Sequence, residues 1–236
     1  MAASIQPAAE APMLHKYVLD SPAPYGIIME SQLSAIRHEL GQIHEYDFVE
    51  GTISSPLAPE LHGFFPPDDT YFNYFHNDSA PSILKALEDL SNFLEREGPY
   101  DGIIGFSQGG CLAATFIIHH LQKHPNKPLP FKCAIFLSSI TPADPNDLKK
   151  GMIRFLQPET CGKPLVRGLA TTHIWGRNDD QWPGMSEPLY ELCDAHQRNF
   201  FLHDEGHTIP AARAKDAILG CVKVIRRTLD RAALGA

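Results

Sequence analysis

Between Tyr100 and Gln122 an apolar run, Gly102-Ile103-Ile104, meets Gly105-Phe106-Ser107-Gln108-Gly109 and continues into a segment of helical character from Gly110. This block constrains the chain more than any other. A serine between two glycines, with a strand before it and a helix after it, sits on a strained strand-to-helix turn that lifts its hydroxyl above a sheet. Glycine on either side removes the Cβ atoms that would collide where the two elements cross. Open parallel sheets carry their sites at the carboxyl ends of strands. The rest of the sequence has to supply such a sheet.

Apolar, β-branched or aromatic runs bounded by Gly, Pro or Asp recur at Lys16–Leu19, Tyr46–Glu50, Gly102–Phe106, Cys133–Ser138, Thr171–Trp175 and Phe200–His203. Between them, Ile83, Leu84, Leu87, Leu90 and Leu94 share one face of a helix ending near Gly98-Pro99. Ile218, Val222, Ile225 and Leu229 repeat that spacing in the last helix. Short strands alternating with amphipathic helices predict an α/β fold, a mostly parallel sheet covered on both faces. Two stretches break the alternation: Leu61–Phe75, dense in aromatics and Pro, and the polar Pro142–Gly168. Each reads as either surface packing or substrate contact. With no internal repeat and no low-complexity linker, residues 13–236 read as a single domain behind a loose tail at residues 1–12.

A serine is a poor nucleophile at neutral pH, so it needs a base, and the base needs an acid to orient it. Behind a serine turn of this kind the acid and the histidine follow in that chain order. The run Thr171–Gly176 is followed by Arg177-Asn178-Asp179-Asp180, which makes Asp179 the candidate acid and Asp180 the alternative. Phe200–His203 runs into Asp204-Glu205-Gly206-His207 ahead of a helix expected near Thr208, so His207 is the candidate base. The main-chain N–H of Gln108, at the positive end of the following helix, is the candidate oxyanion donor. His173 and His203 read as buried or edge side chains, and Cys111 as a small packed one. His120 and His124 have i, i+4 spacing but no H-E-x-x-H and no third ligand, so no metal or other cofactor is expected.

Composition removes other classes. The chain has 236 residues with 20 Lys+Arg against 28 Asp+Glu, a formal charge of −8, and no basic cluster, which argues against nucleic acid as a partner. No apolar run approaches the ~18 residues of a membrane span. Five scattered cysteines without a C-x-x-C pair fit reduced thiols, and the Ala/Pro-rich start lacks a signal peptide's basic and apolar regions. The expectation is a cytoplasmic protein.

At these residues the chain resembles the family of small serine hydrolases common in fungi, related to the animal ovarian-tumour-associated hydrolase. The likeness runs from Ser31-Gln32-Leu33 to the end of the chain. It rests on Phe48-Val49-Glu50-Gly51, on Phe65-Pro66-Pro67 with Tyr71 and Tyr74, on the block from Glu97 to Gly109, on Gly176-Arg177-Asn178-Asp179 and on Gly206-His207. The resemblance implies an α/β-hydrolase fold without a large separate lid domain, and a triad of Ser107, Asp179 and His207. It implies esterase or thioesterase action on an acyl substrate, often beside polyketide synthases, whose carrier domain then becomes a candidate partner. The aromatics around Phe65, Tyr71 and Tyr74 are the expected substrate contacts, for an apolar and partly planar acyl group.

One segment departs from the family. Members usually open with a first strand running into Leu-His-Gly and a Gly/Asn-rich loop that supplies a second oxyanion donor. Here the region reads Asp20-Ser21-Pro22-Ala23-Pro24-Tyr25-Gly26, and neither proline has an N–H. The second donor falls to Ser21 or Gly26, or the site is impaired. The alternative to a serine esterase is therefore a binding or scaffold protein that kept the pocket and lost the chemistry.

Overall fold

The computed structural model describes residues 15–19, 27–41, 43–57, 66 and 69–235. Ser21, Gly26, Phe65 and the tail at residues 1–12 lie outside the described residues.

Six strands form one sheet. They are β1 (His15–Leu19), β2 (Glu45–Val49), β5 (Gly102–Phe106), β6 (Cys133–Leu137), β7 (Ala170–Gly176) and β8 (Arg198–His203), in the order β2-β1-β5-β6-β7-β8. Every neighbouring pair is parallel, with Val18 beside Ile104, Ile104 beside Ile135 and Ile135 beside Thr172. Strand order runs one way from β1 to β2 and the other way from β5 to β8. The carboxyl ends of β1 and β5 therefore flank the switch point where ligands collect in open α/β sheets.

Both faces are covered, which is why β5 and β6 read as unbroken apolar runs: every residue in them is buried. Along β6 the period of two divides the side chains. Ala134 and Phe136 join the core under α2 (Ala80–Glu97) and α3 (Ser107–Lys123). Cys133, Ile135 and Leu137 join the core under α1 (Ile27–Leu40) and α7 (Lys215–Ala233). Helix α2 begins where Ser79 Oγ accepts the Ser82 N–H at 3.3 Å, and it buries Ile83, Leu87, Leu90 and Leu94 along one stripe. This is the α/β-hydrolase architecture.

Three expectations need correction. Tyr71–Asn73, inside the stretch read as a loop, forms β4, antiparallel to β3 (Ile53–Ser55) and separate from the main sheet. The helix expected near Thr208 begins at Lys215: residues 204–208 are bends, and Pro210 disfavours a helical conformation at the residue before it. Helix α3 starts at Ser107, three residues before Gly110, so the serine is itself the first helical residue. The polar stretch after β6 carries two helical turns, α4 (Pro145–Leu148) and α5 (Pro158–Cys161). There the Arg154 guanidinium bridges Asp144 and Asp147 at 2.5 and 2.6 Å. The remaining element, α6 (Glu187–Leu192), lies between β7 and β8. Among the described residues no helix is long and apolar enough to cross a membrane.

Candidate active site

Ser107 has φ +49°, a left-handed conformation that costs a non-glycine residue of the order of 1–3 kcal/mol and persists only where its surroundings enforce it. The enforcement is visible. A Cβ on Gly105 would lie 2.6 Å from Gly110 Cα, and one on Gly110 would lie 2.5 Å from Ser139 Oγ. Only glycine permits so close a crossing of β5 and α3. The Ser107 carbonyl accepts the Ile140 N–H at 3.3 Å, tying the turn to the segment after β6.

Three side chains from three strand ends meet at this turn. His207 Nε2 lies 2.8 Å from Ser107 Oγ, and His207 Nδ1 lies 2.7 Å from Asp179 Oδ2. A carboxylate only accepts, so Nδ1 carries the proton and Nε2 is left to accept the serine O–H. The Asp179 side chain is 8 % exposed and its other oxygen, Oδ1, accepts the N–H groups of Trp182 (2.9 Å) and Gln181 (3.2 Å). Asp180, the alternative acid, is exposed to solvent. The geometry therefore brings Ser107, His207 and Asp179 together and leaves Asp180 out. Phe106 and Trp182 flank the imidazole, with ring centroids 5.3 and 6.5 Å away.

Electrostatics at the serine come from the start of α3. Phe106, at the N-cap, offers no side-chain cap, and the first turn holds no acidic residue. Its N–H groups, that of Gln108 included, keep the partial positive charge of a helix start available to a developing anion. Gln108 itself is buried, and its carboxamide points toward the turn Tyr74–Asn77.

The aromatic contacts expected from sequence are placed differently from one another. Tyr71 is fully buried and its hydroxyl donates to the Pro66 carbonyl, which makes it a packing residue. Tyr74 donates its hydroxyl to the Val49 carbonyl and lines a cavity of about 310 Å³ with Val49, Leu90, Phe93 and Leu112. None of Ser107, Asp179 and His207 lines that cavity.

Burial keeps two other histidines and a cysteine uncharged. Burial pushes His173 down to about 3 and His203 down to about 4, so both are uncharged imidazoles at neutral pH. Burial likewise raises the Cys111 thiol to about 12, and its Sγ donates to the Thr141 carbonyl. His120 Nε2 donates to the carbonyls of Lys127 and Pro128 at 3.2 and 3.1 Å. Among the described residues no cluster of three His, Cys, Asp or Glu could hold a metal ion.

Sequence reasoning missed two features of the site: the pair of N–H groups that hold Asp179, and the Gln108 side-chain contacts. The first carries a local signal, an aspartate accepting from residues two and three positions ahead. The second has none, because its partners lie more than thirty residues away.

A family model described as serine hydrolase (FSH1) matches residues 25–217. Esterase FPY3 of Fusarium mangiferae is 34 % identical over 210 residues, 88 % of this chain and 93 % of that protein. Hydrolase phiM of a fungal species is 32 % identical over 184 residues, covering 77 % and 80 %. A solved carboxylesterase from Mesorhizobium loti is similar with a TM-score of 0.58 and 15 % identity, over 93 % of this chain and 89 % of that one. At that identity the likeness speaks for the fold alone.

Proposed function

The chain belongs to the FSH1 family of serine hydrolases, and on that premise we propose that it cleaves acyl esters or thioesters through an acyl-enzyme on Ser107, with His207 as base and Asp179 as its orienting acid. The observation that carries the proposal is the continuous chain from Ser107 Oγ through the imidazole to Asp179 Oδ2, at 2.8 and 2.7 Å.

Ser107 Oγ attacks the acyl carbonyl carbon while His207 Nε2 takes its proton. Asp179 holds the imidazole with Nδ1 protonated and stabilises the imidazolium that forms. Negative charge on the carbonyl oxygen falls toward the Gln108 N–H, where it meets the start of α3. Collapse expels the alcohol or thiol, which leaves with the proton from Nε2. Water then repeats the sequence on the acyl-serine and releases the acid.

The finer part of the proposal is the substrate: an apolar, partly planar acyl group of polyketide type, taken free or from a carrier domain in the cytoplasm. Its support is the family resemblance and the aromatic rings of Phe106 and Trp182 beside the imidazole.

The test is activity-based labelling of the purified chain with a fluorophosphonate, together with turnover of p-nitrophenyl esters of increasing chain length. The expected outcome is a labelled wild type, an unlabelled and inactive Ser107→Ala, and faster turnover of long acyl groups than of acetate. Equal labelling of both proteins overturns the assignment of Ser107. A wild type that is neither labelled nor active favours the binding or scaffold reading.

A further inference from the structure

We propose that the Gln108 carboxamide is a positioning group for the oxyanion donor: it anchors one end of the peptide whose N–H faces the substrate oxygen. The inference rests on the reading of Ser107 as the nucleophile.

The peptide in question joins Ser107 to Gln108, and it is planar. Its carbonyl end is held where Ser107 O accepts the Ile140 N–H at 3.3 Å. Its N–H points the opposite way, so fixing the plane aims the donor. What remains is the Gln108 Cα end, and the side chain on that atom makes three hydrogen bonds. Oε1 accepts the Tyr74 N–H at 2.8 Å, and Nε2 donates to the Phe75 carbonyl at 3.1 Å and to Asn77 Oδ1 at 2.9 Å.

These partners fix which way the amide faces. A main-chain N–H can only donate and a main-chain carbonyl can only accept, so exchanging oxygen and nitrogen would break the bonds to Tyr74 and Phe75. Both Nε2 hydrogens are engaged. Gln108 is 5 % exposed, and its bonds to the Tyr74 N–H and the Phe75 carbonyl are buried away from competing water, whereas Asn77 is itself exposed. The first turn of α3 is thereby locked to the turn that joins β4 to α2. An apolar residue of equal length would lose the bonds to the Tyr74 N–H and the Phe75 carbonyl and leave the residue 108 Cα without its anchor.

The experiment compares Gln108→Met, Gln108→Glu and Asn77→Ala with wild type by ester turnover, fluorophosphonate labelling and thermal denaturation. An oxyanion donor acts in the transition state, so its misalignment lowers kcat and kcat/KM together and leaves KM in place. Loss of a whole donor costs about 10²–10³ in turnover, and a misaimed one should cost about 10–10² in Gln108→Met. Asn77→Ala removes one bond of three and is expected to lose a few-fold in kcat with its melting point near wild type. Gln108→Glu keeps the volume and the acceptor toward Tyr74, but as a carboxylate it turns lone pairs toward Phe75 O and Asn77 Oδ1. Protonation restores one donor. Its kcat relative to wild type is therefore expected to climb as pH falls.

A role in packing alone predicts a flat ratio across pH for Gln108→Glu. That result, or wild-type kcat in Gln108→Met, overturns the proposal. Should Gln108→Met fail to fold, wild-type kcat in Asn77→Ala together with a flat Gln108→Glu ratio does the same. An unlabelled wild type removes the underlying reading of Ser107, whereas failure of this inference alone shows as a labelled wild type with undiminished variants.

Discussion

Two adjacent aspartates follow β7, and what separates them is which one the backbone holds against the imidazole. The Trp182 and Gln181 N–H groups donate to Asp179 Oδ1 at 2.9 and 3.2 Å, and Oδ2 is thereby turned to His207 at 2.7 Å. Asp180 is solvent-exposed. Asp179→Asn offers His207 Nδ1 an N–H in place of an acceptor, which favours the tautomer with Nε2 protonated. That tautomer cannot take the serine proton. Turnover of a simple ester should fall by about 10⁴ in Asp179→Asn and stay within a few-fold of wild type in Asp180→Asn. The reverse order in a steady-state assay would move the acid to Asp180. Sequence puts Asp179 first and Asp180 second after β7, and the structure adds the physical reason, hydrogen bonds to Asp179 Oδ1 from residues two and three positions ahead. Ser107 was legible from the glycines two residues to either side of it directly after an apolar run, and His207 from Gly206 in the loop that follows Phe200–His203.

At the scale of elements, the distance from Asp179 to His207 is set by how closely the ends of β7 and β8 pack. A Cβ on Gly176 would fall 2.2 Å from the carbonyl oxygens of both Glu205 and Gly206. The same contact is stitched by Arg177 N–H to the His203 carbonyl at 2.7 Å, and by Asn178 N–H to the Glu205 carbonyl at 3.3 Å. Gly176→Ala must push the 204–207 loop away from the loop that carries Asp179. A displacement of about 1 Å in a catalytic group costs about 10² in rate, and overpacking costs about 1–3 kcal/mol of stability. The variant should therefore fold, lose that amount in urea denaturation, and turn over at least tenfold more slowly. Wild-type turnover would mean that the two loops yield without disturbing the imidazole. Strands this well packed announce themselves as apolar runs. The pair β3 and β4 does not, because three residues are too few to show an alternation, and β4 lies within a stretch whose aromatics read as loop anchors.

For the molecule as a whole, the α/β fold was legible because a sheet covered on both faces demands contiguous apolar strands, and all six runs expected from sequence match a strand to within two residues at each end. The same double cover buries histidines, and there the consequence of the fold is thermodynamic. His173 and His203 are each 2 % exposed. His173 is packed between the rings of Phe136 and Tyr190, with Nε2 3.1 Å from Thr171 Oγ1 and the Arg198 cation nearby. Neither ring nitrogen of His203 has a hydrogen-bond partner among the described residues, and the charges of Asp204 and Asp179 only partly offset its burial. Both pKa values are depressed from 6.5, to about 3 and about 4. The unfolded chain therefore binds protons that the folded chain refuses, and stability must rise with pH across that interval. The contribution is complete above pH 6.5 and is lost as pH falls from there toward 4. By pH 4.5 each histidine should have removed about 2–3 kcal/mol. Unfolding free energies measured from pH 7 to 4.5 should decline along this slope, and His203→Leu should decline more gently than wild type. An identical slope in His203→Leu would mean that His203 takes up its proton without unfolding. The acid sensitivity of the fold would then have to lie with its carboxylates and His173.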